Sequence, residues 1–321
     1  QLPAIRAARR LGLHVIVADG NPEAVGKPEA DVFEHVDLRD REGMLEMARH
    51  HAEGGGLEAV FTAGTDFSTT VAYVGNALGL PGTSLESAER ATDKFRMRQT
   101  LKAAGVRVPD FGVVHASEVS YDRIESLIDG IGLPVVVKPA DSMGARGVVK
   151  AESAEEVLQR VYEAIEHSRS GRAVVERYID GPEFSIDALV YQGTVQITGF
   201  ADRHIVFPPY FIEIGHTIPT SLSPAAQGIV LDEFKRAVAA LGIQNGAAKG
   251  DMKLSSEGPV VGEVAARLSG GYMSGWTYPL STGIELTEKA IRIALGEPPG
   301  SLAPVWNRTS AERAAISIPG T

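Results

Sequence analysis

The chain has 321 residues, 44% of them hydrophobic and 22% charged, and a formal net charge of −10. That acidic balance excludes the basic stripes of nucleic-acid and anionic-membrane binders. The absence of cysteine excludes disulfides, a thiolate nucleophile and sulfur-ligated metal. No apolar run approaches the ~20 residues of a membrane span and no signal peptide opens the sequence, so a cytoplasmic location is expected.

Leu2–Leu11 reads as a helix stopped by Gly12. Residues 13–19, 31–37 and 57–64 read as buried strands separated by helix-compatible sequence, the alternation of a parallel α/β layer. The chain opens on Gln1 inside a helix-like stretch and closes on AAISIPGT. An initial strand before residue 1 and a continuation of the last strand are therefore expected. Thr92 is placed to cap a helix over 93–104, with Gly105 as its stop. A strand at 134–138 runs through a glycine-rich loop into a strand at 147–150. A helix follows from Ser153, with Ser153 and Glu156 as a capping box. Its apolar face is Leu158, Val161, Tyr162 and Ile165.

From Ala173 onward the texture is strands and tight turns. Residues 183–190 alternate, with Phe184, Ile186, Ala188 and Val190 on one face and Glu183, Ser185 and Asp187 on the other. A helix opens at Pro224 and ends at Gly242. Strands follow near 247–254 and 259–265, then a last helix over about 285–295. Four regions result: 1–90, 91–172, 173–300 and 301–321.

Three constellations carry chemistry. In VVVKPADSMGARGV (135–148) a buried strand ends in Lys138, and the loop after it holds Ser142, Gly144, Arg146 and Gly147. Backbone N–H groups freed by those glycines suit anionic oxygens. The pattern is neither a Walker loop nor G-x-G-x-x-G, and a hairpin with a solvated lysine is the plain alternative. In KGDMKLSSEGPVVGEVAARLSGG (249–271), a turn at Glu257–Gly258 sets Asp251 across from Glu263. Two facing carboxylates suit a Mg²⁺ or Mn²⁺ ion; an exposed pair relaxed by Lys253 is the alternative. Arg267 and Gly270–Gly271 extend the anion-binding theme. In VVERYIDGPEFSIDAL, Glu176 ends an apolar strand and Glu183 enters the polar face of the next. The stretch 201–220 adds Arg203, His204, Glu213 and His216, with Arg203 and His204 favoured for function over a surface loop.

Together with TDKFRMRQTLKAAGVRVP (92–109), these pieces resemble the ATP-grasp superfamily over roughly residues 80–300, and residues 1–80 resemble its N-terminal domain. The resemblance implies an α/β protein: a Rossmann-like parallel layer without its first strand, then two ATP-grasp α+β subdomains, the first a lid over about 110–170. It implies ATP and Mg²⁺ (or Mn²⁺). Lys94 and Lys138 would contact phosphates, and the loop Ser142–Gly147 would close over them. Glu176 would meet the adenine amino group, with backbone near Tyr178 and Ile179, and Glu183 would hold the ribose. Asp251 and Glu263 would carry the metal. His204 and Arg203 would face phosphates or acceptor, and Arg267 the transferred phosphoryl group. Where many members read Glu-x-Asn, this chain has Glu263-Val264-Ala265; the third protein ligand is missing.

The implied reaction is activation of a carboxylate as an acyl phosphate and its coupling to an amine. The rivals are a carbamoyl-phosphate-synthetase-like or carboxylase-like enzyme using bicarbonate, a non-catalytic nucleotide-binding module, and a dinucleotide oxidoreductase. The partners expected are small-molecule carboxylate and amine substrates, with no nucleic acid and no membrane; a homodimer is the candidate assembly.

Overall fold

A computed structural model describes residues 1–53, 56–142, 144–270 and 272–316. The chain begins with α1 (Leu2–Arg10), β1 (Ile16–Asp19), β2 (Val32–His35), α2 (Arg41–Glu53), α3 (Ser68–Ala77), α4 (Leu85–Thr92) and α5 (Lys94–Ala103). Then come β3 (Phe111–His115), α6 (Tyr121–Ile131), β4 (Val135–Pro139), β5 (Val149–Ala151), α7 (Ala154–Glu166) and β6 (Arg172–Arg177). The remainder is β7 (Glu183–Tyr191), β8 (Thr194–Val206), β9 (Ile212–Ile218), α8 (Pro224–Leu241), β10 (Gly246–Ser255), β11 (Gly258–Ala265), α9 (Tyr278–Thr282), α10 (Leu286–Ala294) and β12 (Ser310–Arg313).

β1 and β2 pair in parallel, Ile16 with Val32 through Asp19 with His35. The strand expected at 57–64 does not form a ladder among the described residues. A strand needs a neighbour offering N–H and C=O groups; here Leu57 and Val60 pack on Met44, Leu45, Ala48 and Val74 of α2 and α3.

Two antiparallel sheets follow. The smaller is ordered β3-β6-β4-β5, and α6 and α7 cover one face. The apolar stripe of α7 is centred on Val157, Val161 and Ala164, which turns Tyr162 out to 53% exposure, against expectation. The expected cap of α5 also moves by one residue. Asp93 accepts from the Arg96 N–H, while the Thr92 hydroxyl is spent on the Ala88 carbonyl inside α4. Asp93 wins the cap because its backbone is extended and its carboxylate reaches forward to the N3 N–H, whereas Thr92 is still inside α4.

The larger sheet is ordered β11-β10-β7-β8-β9-β12. α8 packs on one face, where Phe184, Ile186, Ala188 and Val190 meet Phe234, Val238 and Leu241. The far end of the other face is covered by Tyr278, Leu286 and Ile293. β7 is thus buried on both faces, its polar Ser185 and Asp187 fully so. The tip of the β8–β9 hairpin reaches the smaller sheet: the Lys150 N–H donates to the Pro209 carbonyl at 3.0 Å, and Tyr210 bridges Val149. Among the described residues no helix is long and apolar enough to cross a membrane.

Candidate functional site

The two antiparallel sheets face each other across a cleft with about 910 Å³ of open space. Strand alternation decides which residues enter it. On β4, Val135 and Val137 go to the core, so Val136 and Lys138 line the cleft. Lys94 enters from the first turn of α5, and its Nζ donates to the Ser142 carbonyl at 2.5 Å. Gly144, Ala145 and Gly147 take positive φ of 72°, 56° and 67°. A side chain at Gly147 would also meet the His167 ring 2.9 Å from its Cβ, so glycine is required there twice over. Ser142 turns its hydroxyl to the His167 carbonyl. Met143, inside the expected Ser142–Gly147 loop, lies outside the described residues. Arg146 of the loop reaches Asp66 of the N-terminal layer at 3.7 Å.

Glu176 does not stand free. Arg98 holds it with a fork, Nε to Oε1 at 2.8 Å and Nη2 to Oε2 at 3.1 Å. Lys138 Nζ lies 2.6 Å from Oε2. Burial alone would raise the Glu176 carboxyl, but Arg98 and then Lys138 outweigh it and bring it down to about 2. Burial lowers the Lys138 ammonium; Glu176 pushes back, and Arg98 and Lys94 add to the lowering. At the hinge after β6, the Arg177 and Tyr178 N–H groups are spent on the Asp110 and Pro134 carbonyls. The Tyr178 ring has Lys150 and Lys253 ammonium groups each 4.8 Å from its centroid. Phe211 of the hairpin tip stands 6.3 Å from the same ring and lines the cleft.

Across the cleft, the β10–β11 turn is Ser256–Glu257, one place earlier than expected, because Ser255 already pairs with Gly258. A bulge at Gly262 shifts the register back, so Asp251 does face Glu263. A Cβ on Gly262 would sit 2.9 Å from the Asp251 carbonyl oxygen. Asp251 accepts from Ser185 Oγ at 3.0 Å and pairs with Lys249 at 2.5 Å and with Arg203 at 3.6 Å. Burial would raise its carboxyl, yet Arg203 and then Lys249 hold it far below the usual carboxylate range. The Glu263 side chain makes no hydrogen bond or ion pair with any described residue. Burial and Asp251 would raise it; Lys94, with Lys249 and Lys138, holds it down nonetheless. An ionised carboxylate with unspent lone pairs beside a second carboxylate fits a hard cation. Three His, Asp or Glu placed to share one ion do not occur among the described residues; Ala265, where a third ligand would stand, lies directly across from Lys249.

Glu183 and Arg203 also line the cleft. Glu183 pairs with Lys253 at 2.9 Å and Arg203 at 3.2 Å, and Arg203 Nε reaches Glu213 at 2.7 Å. Two expected residues fall elsewhere. His204, next to Arg203 on β8, points to the opposite face by alternation and meets Thr217 at 3.0 Å and Arg313 at 3.1 Å. Arg267 lies beyond the end of β11, where alternation no longer steers it. It lines a separate recess with Val60, Ser68 and Ala72, its Nη1 donating to the Leu268 carbonyl at 2.9 Å.

Several residues of the site carry little signal in the sequence. Arg98 is one turn beyond Lys94 on α5, a second cation on one helix face. Ser185 was legible as polar but not as a partner of Asp251. His216, 3% exposed, links Ser185 at 3.0 Å to Glu312 of β12, a contact that no local pattern announces. Asp187 accepts from Ser269 Oγ at 2.6 Å and Ser274 Oγ at 2.9 Å; burial nonetheless raises its carboxyl.

Two antiparallel sheets closed on a cleft, with lysines on one wall and facing carboxylates on the other, define the ATP-grasp class. The chain belongs to that family: the model of the ATP-grasp domain matches residues 131–275 and that of the ATP-grasp N-terminal domain residues 5–82. An L-amino acid ligase from Bacillus licheniformis has a similar structure, with a TM-score of 0.81 and 27% identity over 96% of this chain and 75% of that one. The alanine–anticapsin ligase of Bacillus subtilis is 27% identical over 269 residues, 77% of this chain and 56% of the relative. The uncharacterized protein y4rH of Sinorhizobium fredii is 27% identical over 319 residues, 98% of this chain and 65% of the relative. The chain thus spans less than two thirds of the length of these curated relatives.

Proposed function

We propose that the protein is an ATP-dependent ligase that activates a small carboxylate as an acyl phosphate and joins it to an amine, releasing ADP and phosphate. The observation that carries the reading is the cleft itself: Lys94 and Lys138 on one side, and the unpartnered Glu263 facing Asp251 on the other.

The residues divide the work. Lys94 from α5 and Lys138 from β4 neutralise phosphate oxygens, while the loop Ser142–Gly147 covers them and keeps water from the activated acid. The apolar wall of Val136, Ile179, Phe211 and Met252 suits an adenine ring, and Glu183 a ribose. A substrate carboxylate oxygen bonds the γ-phosphorus as the bond to ADP breaks. The amine then attacks the acyl carbon, forms the C–N bond, expels phosphate and gives up a proton. Asp251 and Glu263 would hold Mg²⁺, which when bound supplies charge to offset the phosphate oxygens. Arg203 and Lys249 keep Asp251 ionised for that task.

The test is Mg²⁺-dependent ADP release over a panel of amino acids, small acids and bicarbonate, with Lys138→Ala and Glu263→Gln as controls. Turnover stimulated by one acid and lost in both variants supports the ligase. Stimulation by bicarbonate alone moves the reading to a carboxylase-like enzyme. Tight ATP binding without turnover on any pair makes the protein a nucleotide-binding module.

A further inference from the structure

Arg98, Glu176 and Lys138 form a buried trio with one more cation than anion. Arg98 is 1% exposed and Glu176 3%, whereas the Lys138 side chain keeps 13% of its surface open and lines the cleft. The deepest member is therefore a cation that no substrate can touch. Arg98 Nη2 also donates to the Gly262 carbonyl at 2.5 Å, the bulged residue beside Glu263. One guanidinium thus ties α5, β6 and β11 together.

We propose that Arg98 is a positioning residue for the anion-binding face of the cleft: it occupies the Glu176 carboxylate so that Lys138 keeps net positive charge for an anion, and it braces the bulge that aims Glu263. Lys138 with Glu176 alone would be a neutral pair, its ammonium backed by a carboxylate at 2.6 Å. An approaching anion would meet attraction and repulsion together. Adding Arg98 makes the trio singly positive, and because Arg98 is sealed, the excess is displayed at the Lys138 end. The planar fork suits the task, since three acceptors from two strands must be met at once. Stability is a poor alternative explanation, because buried ion pairs seldom outperform apolar pairs of the same volume. The inference rests on the reading above only for the identity of the anion.

The test uses the full chain, with AMP-PNP and inorganic tripolyphosphate titrated by calorimetry. The variants are Arg98→Met, Arg98→Met/Glu176→Gln and Arg98→Lys, with folded fraction checked by circular dichroism. Arg98→Met should weaken tripolyphosphate binding roughly ten- to thirtyfold, the effect of one unit charge about 8 Å away in a protein cleft. The double variant removes one charge of each sign, leaves Lys138 unopposed, and should regain most of the loss. Arg98→Lys keeps the charge and loses the fork, so binding should hold while kcat falls more than KM rises. A double variant that binds no better than folded Arg98→Met overturns the proposal. If the wild type binds tripolyphosphate but not AMP-PNP, the ATP reading fails and the Arg98 comparison is still decided; if it binds neither, both fail.

Discussion

Arg203→Met tests the electrostatic core of the cleft. Arg203 stands 2.7 Å from Glu213, 3.2 Å from Glu183 and 3.6 Å from Asp251, with 18% of its side chain exposed. At ~3 Å and an effective dielectric of ~20, one such contact is worth about 5 kcal/mol before desolvation. Removing the cation leaves three carboxylates with Lys249, Lys253 and His216 as their nearby partners. Breaking a buried pair on one side costs about 3–5 kcal/mol, and that is the expected loss of unfolding free energy at pH 7. The loss must depend on pH. Burial alone would raise Asp251, and Arg203 is the first of the groups that hold it down. Stability from a depressed carboxyl is present above its unfolded value, ~3.9, and fades as pH falls below that. Urea titrations of wild type and variant, followed by circular dichroism at pH 7 and again near pH 3.5, should show a gap that narrows in acid. A gap under about 1 kcal/mol at pH 7, or one equally wide in acid, would refute the charge account.

Gly262→Ala puts a Cβ 2.9 Å from the Asp251 carbonyl oxygen; it should cost ~1–3 kcal/mol by overpacking and lower Mg²⁺-dependent ADP release well beyond the fraction unfolded, and activity that merely tracks folding would count against the bulge as the device aiming Glu263. Phe211→Ala removes the aromatic wall and should raise KM for ATP about tenfold with kcat little changed, the scale of one base–aromatic stack; an unchanged KM would move the base elsewhere. Lys249→Met frees Asp251 from its 2.5 Å partner and should lower the Mg²⁺ concentration for half-maximal ADP release severalfold, an outcome excluded if Lys249 does not compete with the cation.

What could be read in advance follows from range in the chain. The facing of Asp251 and Glu263 is a hairpin property, set by a turn and an alternation within a few residues, and it survived a misplaced turn because the bulge at Gly262 cancelled the slip. Lys138 and the positive-φ loop after it are equally local. Alternation separates Arg203 from His204, which were expected together, since neighbours on one strand face opposite ways. The Arg98–Glu176 fork spans 78 positions in the sequence and the His216–Glu312 contact 96. Arg98 meets Glu176 where helix α5 docks on β6, and His216 meets Glu312 because β12 pairs with β9 across a long stretch of chain; local periodicity encodes neither. Arg267 went astray for a related reason: past the last ladder pair at Ala265, the chain direction depends on tertiary packing.

The hairpin tip that joins the two sheets has a kinetic meaning. The walls of the cleft are stitched at the Lys150–Pro209 bond and the Val149–Tyr210 bridge, beside the wall carrying Phe211. Parting them breaks one or two backbone hydrogen bonds, each worth ~0.5–1.5 kcal/mol net. At that cost alone an unlatched form would hold roughly 1–30% of the molecules. Entry and departure of a bulky guest then need no wholesale unfolding of the smaller sheet.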